Sequence, residues 1–196
     1  MPDHNHPPGS PITEEQLRNV TVGELSVLNG RVELRDYDPE WPGKFTREAE
    51  LILNALGERA LRIEHVGSTA VPGLWAKPVI DILLVTVDSA DEPTYVPMLE
   101  GAGYVLRIRE PNWHQHRMFN RPGVAVNLHV FSAGSPEIDR LLLLRDRLRG
   151  NSNDRQLYAN TKRRLASQTW KYMQNYADAK SAVIEEIIRR ARDERK

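Results

Sequence analysis

The residues best suited to chemistry lie close together in Glu64-His65-Val66-Gly67-Ser68-Thr69, followed by Lys77 and Asp81. Glycine and small hydroxyl residues let backbone N–H groups approach a phosphate closely, and a helix starting there favours the negative charge. Gly67, Ser68 and Thr69 are therefore the expected phosphate contacts. Asp81, on the following strand, suits the hard divalent ion that accompanies a nucleoside triphosphate. Lys77 precedes that strand and would either neutralise phosphate as a point charge or lie on the surface. In a regular strand Glu64 and His65 face opposite ways, so one lines the site and the other braces the fold.

Two-metal phosphoryl chemistry needs further acids. Leu83 cannot bind a metal, so Asp81 alone would hold one Mg2+, with waters and triphosphate oxygens completing the shell. His129 is a second ligand, a general base for an acceptor hydroxyl, or a packed histidine bonded to backbone. As a ligand it suits zinc, manganese or iron better than magnesium. Arg145 and Arg149 are one helical turn apart, a spacing that fits a phosphate or carboxylate. Tyr158 and Lys162, and Tyr176 and Lys180, share the same spacing. The other reading of these cations is an ion-pair network among helices. Trp41 and Trp75 read as core or cleft wall; Trp113, near His114 and His116, reads as either core or stacking platform.

The elements that must position these groups follow from periodicity and punctuation. Thr13-Glu14-Glu15-Gln16 forms a capping box for a helix to about Val20. Val32-Glu33-Leu34 alternates as a short strand. Asp38 to Pro42 opens a helix whose Phe45, Ala49, Ile52, Leu53 and Leu56 form one apolar stripe, ended by Gly57. Strands are expected over 61–66, 79–87, 104–106, 113–119 and 125–131, with a helix over 95–102. The almost wholly apolar 79–87 reads as a central strand covered on both faces. From Pro136 the pattern is helical, with helices over about 136–149, 152–174 and 176–194. The Pro- and His-rich residues 1–12 read as a disordered tail in which His4 and His6 have no defined role.

The 196 residues suit one compact unit. Residues 1–30 read as a flexible extension with a short helix, 31–135 as the sheet domain and 136–196 as a helical subdomain on the same site. Charges balance at 27 basic and 27 acidic. Residues 139–196, however, carry 15 Lys and Arg against 8 Asp and Glu. That excess fits an anionic ligand or internal ion pairs. No cysteine is present, which removes thiolate chemistry. No segment reads as membrane-spanning or secretory, so a cytoplasmic protein is the default expectation. No basic-aromatic groove points to nucleic acid. The sequence leaves the oligomeric state open.

Glu64 to Leu74, with Ala76-Lys77-Pro78 and Ile80-Asp81-Ile82, resembles the signature of the GrpB family, within the nucleotidyltransferase superfamily. The resemblance runs from about 32 to 192, through Tyr37 to Pro42, Gly103-Tyr104, His116-Arg117, Leu128-His129-Val130, Arg145 to Arg149, and the Tyr-Lys pairs. It implies an α/β (α+β) fold: a nucleotidyltransferase-like mixed sheet flanked by helices, with a C-terminal helical subdomain. It also implies a nucleotide or small-molecule ligand, NTP with Mg2+, at a site walled by His65, Glu64, His116 and Arg117. The reaction would be nucleotidyl transfer to a small-molecule acceptor; the alternative is a noncatalytic nucleotide- or anion-binding module. Asn127 stands where family members often carry a histidine, and that departure weakens any metal site built on a histidine pair.

Overall fold

The computed structural model describes residues 12–194. His4, His6 and the rest of the tail expected over 1–11 lie outside the described residues. Five strands form one mixed sheet in the order β1-β2-β5-β4-β3, with β1 Arg62–Val66, β2 Ile80–Thr86, β3 Val105–Glu110, β4 His116–Arg121 and β5 Val124–Ser132. Only β2 and β5 run parallel; the other neighbours are antiparallel. Seven helices complete the described chain: α1 Glu14–Val20, α2 Trp41–Leu56, α3 Val96–Gly101, α4 Pro136–Gly150, α5 Ser152–Ala166, α6 Met173–Asp178 and α7 Ser181–Asp193. The mixed sheet flanked by helices is the expected architecture.

The two faces of the sheet are covered differently. Ile80, Ile82, Leu84, Leu128 and Val130 pack with Ile52 and Leu56 of α2 and Leu99 of α3. On the other face Val66, Leu83, Val85 and Phe131 pack with Ile138 and Leu142 of α4. Double coverage explains why β2 has almost no polar residues. The apolar stripe of α7, Ile184, Ile187, Ile188 and Ala191, meets Leu143 and Leu148 of α4 and Tyr158 of α5. Val71 and Leu74, from the loop between β1 and β2, insert into the same cluster. The loop is therefore fastened into the helical layer by its own apolar residues.

Local signals held where they depended on nearby residues. Thr13 and Gln16 form the reciprocal capping box. Gly57 ends α2 with φ of 55°. Three expectations are corrected. The helix expected over 176–194 is divided: α6 ends at Asp178 and α7 begins at Ser181. The segment 32–34 forms no strand; Arg35 instead bridges Ala76, and Gly30 bridges Trp170. The helix expected over 152–174 stops at Ala166, because Trp170 turns its backbone to Gly30 and its indole N–H to the Leu165 carbonyl. Residues 12–30 lie against the fold: Val22 N–H donates to Arg107 beside the outer edge of β3, and Ile12 N–H donates to Asp178.

Ile187 is fully buried between α4, α5 and the loop. Ile187→Ala should lower unfolding free energy by about 2–5 kcal/mol in urea titration, the range for a core aliphatic truncation.

Candidate functional site

Strand register places the chemistry on one sheet face. Val66 pairs with Asp81, Asp81 with Asn127, and Leu83 with His129. Side chains of neighbouring strands at paired positions share a face. Asp81, Asn127 and His129 therefore stand together where β1 ends and the loop begins. Asn127 Nδ2 donates to Asp81 Oδ1 at 2.8 Å, and His129 Nε2 lies 3.9 Å from the same oxygen. The Asp81 and His129 side chains remain 30% and 29% exposed. Burial raises the Asp81 carboxyl, but His129, Asn127 and Lys77 outweigh it and hold it below the ordinary range. It is a carboxylate at neutral pH, open to a ligand. Leu83, two residues on, is fully buried in the apolar layer and offers no second acid.

Gly67 is the hinge of the loop. Its φ of 69° lies in the region that favours glycine, and a Cβ there would collide with Asp81 Oδ2 and come within 2.9 Å of Asp81 Cβ. The backbone thus passes directly over the carboxylate. The helix expected to start here is a single 3-10 turn, Ser68–Ala70, because Pro72 and Gly73 follow at once. Any anion contact must come from the turn itself rather than from a helix terminus.

Thr69 faces inward. Its hydroxyl donates to the Val79 carbonyl at 3.2 Å and so accepts the hydrogen bond from His65 Nε2 at 3.0 Å. His65 also stacks on Phe45 of α2, with ring centroids 4.8 Å apart. Burial pushes its pKa down to about 4, which leaves it neutral. His65 and Thr69 brace the loop. Glu64 shares the Asp81 face but is engaged by Arg145 at 2.7 Å and by Arg62.

The tail helices reach the same loop. Arg145 also donates to the His65 carbonyl, Arg149 to the Ala70 carbonyl and Lys162 to the Trp75 carbonyl. Three cations from α4 and α5 thus hold two loop carbonyls and one at the end of β1. The basic excess of the C-terminal part goes largely into such bonds and into ion pairs such as Arg147 with Asp154 and Glu194. Tyr158 is buried, with Ser68 as a hydroxyl partner, and burial pushes its pKa up to about 12. Lys162 is 2% exposed, and burial holds its pKa far below the usual lysine value. Lys180 lies over the Tyr176 ring, 4.2 Å from its centroid, and burial brings its pKa down to about 8 against the attraction of Asp81. Tyr176 is 3% exposed and its hydroxyl has no hydrogen-bond partner. Lys77, Lys162 and Lys180 all act electrostatically around Asp81.

His116 and Arg117 part company. Arg117 points to the opposite face and pairs with Glu92 at 2.6 Å, away from Asp81. His116 lies beside His129, with 3.0 Å between His116 Nε2 and His129 Nδ1. Trp113 is buried edge-on to His116, Trp41 is core, and Trp75 is covered by the Arg163 guanidinium. Sequence reasoning missed Glu110, whose Oε2 lies 2.6 Å from His116 Nδ1. The available signal was an acid ending one strand and a histidine opening the next across a tight hairpin.

The family model described as GrpB protein matches residues 31–190. The chain belongs to the GrpB family. A UPF0157 protein of Halalkalibacterium halodurans is 58% identical over 182 residues, 93% of each chain. The crystal structure of GrpB from Enterococcus faecalis is 29% identical and matches with a TM-score of 0.73, covering 83% of this chain and 98% of that one. A protein named dephospho-CoA kinase from Mycolicibacterium paratuberculosis is 30% identical over 85% of this chain, but only 47% of its own length is matched. No described helix of this GrpB-family chain is long and apolar enough to cross a membrane.

Two outcomes test this geometry. Gly67→Ala should cost about 1–3 kcal/mol in urea unfolding, since it adds both backbone strain and a clash with Asp81. The second concerns pH. The folded pKa of Lys180, about 8, lies below its ordinary 10.5, so the unfolded chain binds more protons between those values. Stability should rise as pH increases from 8 toward 10, and Lys162 adds in the same direction. The raised Tyr158 and Tyr176 oppose this above about pH 10. Lys180→Met should flatten the rise in thermal unfolding midpoints measured across that window.

Proposed function

We propose that this protein binds a nucleoside triphosphate with one divalent ion at Asp81 and transfers its nucleotidyl group to a small-molecule acceptor. The observation that carries this reading is a half-exposed carboxylate directly beneath the Gly67 backbone, with an imidazole beside it and three lysines around it. Among the described residues no three His, Cys, Asp or Glu side chains converge as a metal cage. The residues present therefore fit an ion bound mainly through waters and phosphate oxygens, as Mg2+ commonly is. Asp81 would hold it, leaving His129 Nε2, 3.9 Å from Asp81 Oδ1, free for the acceptor. Such an ion neutralises charge developing on the phosphates.

The remaining work falls to the chain's own groups. Lys77 and Lys180 attract the polyanion, and the turn at Ser68 receives a phosphate. His129 Nε2 accepts the proton of an acceptor hydroxyl as its oxygen attacks the α-phosphorus and pyrophosphate leaves. A second reading, a nucleotide- or anion-binding module without transfer, is favoured by one observation: Leu83 is buried where a second acid would be needed.

Calorimetric titration with a nonhydrolysable ATP analogue, with and without Mg2+, separates these outcomes. Mg2+-dependent binding that weakens at least tenfold in Asp81→Asn is expected. Absence of binding at millimolar analogue overturns both nucleotide readings. Binding without turnover across a panel of hydroxyl acceptors favours the binding module.

A further inference from the structure

The chain has four tryptophans, and three of them have a packing role. Trp41 lies in the cluster between α2 and the sheet, Trp113 packs in the cluster of Phe131 and Ile138, and Trp170 packs in that of Leu165 and Tyr176. Trp75 belongs to none of the apolar clusters among the described residues. Its neighbours Leu74 and Ala76 are buried, whereas Trp75 itself is only half-buried. A large indole left outside every core calls for a reason other than folding.

The backbone beneath the ring is fixed. Ala76 exchanges two backbone hydrogen bonds with Arg35, at 2.8 and 3.0 Å. Lys162 Nζ donates to the Trp75 carbonyl at 2.5 Å. The ring is covered by Arg163, whose guanidinium carbon lies 4.4 Å from the ring centre. Arg163 is exposed, and among the described residues it pairs with no carboxylate. A guanidinium is flat and stacks on an aromatic face. Arg163 therefore fills a slot of the shape that a planar base takes, and no ion pair holds it there.

Helix α5 lays this slot beside the phosphate turn. Tyr158 meets Ser68, Lys162 meets the Trp75 carbonyl, and Arg163 follows on the Trp75 ring. The step from Tyr158 to Lys162 and Arg163 carries about 6–8 Å along a helix. Phosphates and base within one nucleotide are separated by a comparable length. We propose that Trp75 is the stacking platform for the base of a nucleotide whose phosphates lie at Ser68, with Arg163 moving from the indole to the outer face of that base. The inference rests on the nucleotide reading above and adds to it how the base is held. Stacking reads no base edge, so the platform accepts any base.

The test is calorimetric titration of the full chain with two ligands, each with Mg2+: a nonhydrolysable ATP analogue and inorganic tripolyphosphate, which has no base. The wild type should bind the analogue more tightly. Trp75→Ala should weaken the analogue about 5–150-fold, the range for one base–aromatic stack, and leave tripolyphosphate unchanged. Trp75→Phe keeps an aromatic face and should recover most of the loss. Unchanged analogue binding in a folded Trp75→Ala overturns the proposal, and so does an equal loss for both ligands. If Trp75→Ala does not fold, tryptophan emission decides. The analogue should quench it in the wild type, tripolyphosphate should not, and Trp75→Phe should lose the quench. A quench that persists in Trp75→Phe overturns the proposal. A wild type that binds the analogue without involving Trp75 overturns the stacking alone. A wild type that does not bind the analogue overturns the nucleotide reading and the stacking with it.

Discussion

The close passage of the Gly67 backbone over the Asp81 carboxylate is the constraint on which the site depends. It exists because β1 ends at Val66, directly opposite Asp81. The chain must turn there with a positive φ and without a side chain. Everything nearby follows from keeping that turn in place. Thr69 ties it to Val79, His65 backs it against α2, and Val71 and Leu74 anchor it among the helices. A carboxylate held under a backbone loop, rather than among side chains, keeps a direction open to solvent.

The same constraint explains the distribution of charge. A loop that places small residues over an anion carries carbonyls needing donors elsewhere, since unpaired polar backbone is costly when buried. Arg149 and Lys162 supply two of those donors, and Arg145 holds the His65 carbonyl in the strand that enters the loop. Their positive charge nonetheless remains near the loop. Structural cations therefore also shape the potential around the site. The sequence left these residues between an ion-pair network and ligand contact; in the structure each holds a backbone carbonyl.

Much of the fold was legible because its signals are local. The Thr13 capping box, the Gly57 stop and the apolar run of β2 each depend on neighbouring residues, and each stands where expected. Apart from the turn at Ser68–Ala70, stopped locally by Pro72 and Gly73, the failures are long-range. Val32 to Leu34 alternates convincingly, yet its surroundings are set by Trp170 and Ala76, which no window could connect to it. The break after Ala166 has the same cause. In the candidate site, Gly67, Asp81 and His129 could be read from residue type and spacing. Alternation separates Arg117 from His116, but which of them shares the Asp81 face depends on strand register. Glu110 escaped notice because the expected strands stopped at 106 and resumed at 113, so the acid was not seen to end β3 opposite His116.

All five strands are complete by residue 132, whereas the donors that clasp the carbonyls of the loop and of the strand entering it lie at positions 145, 149 and 162. During synthesis the sheet can therefore pair before its most important loop acquires a shape. An emerging chain would present Asp81 beneath a slack, uncommitted loop until α5 clears the ribosome. The site is thus closed by residues that follow the last strand in the chain, α4 and α5 arriving after the sheet they complete.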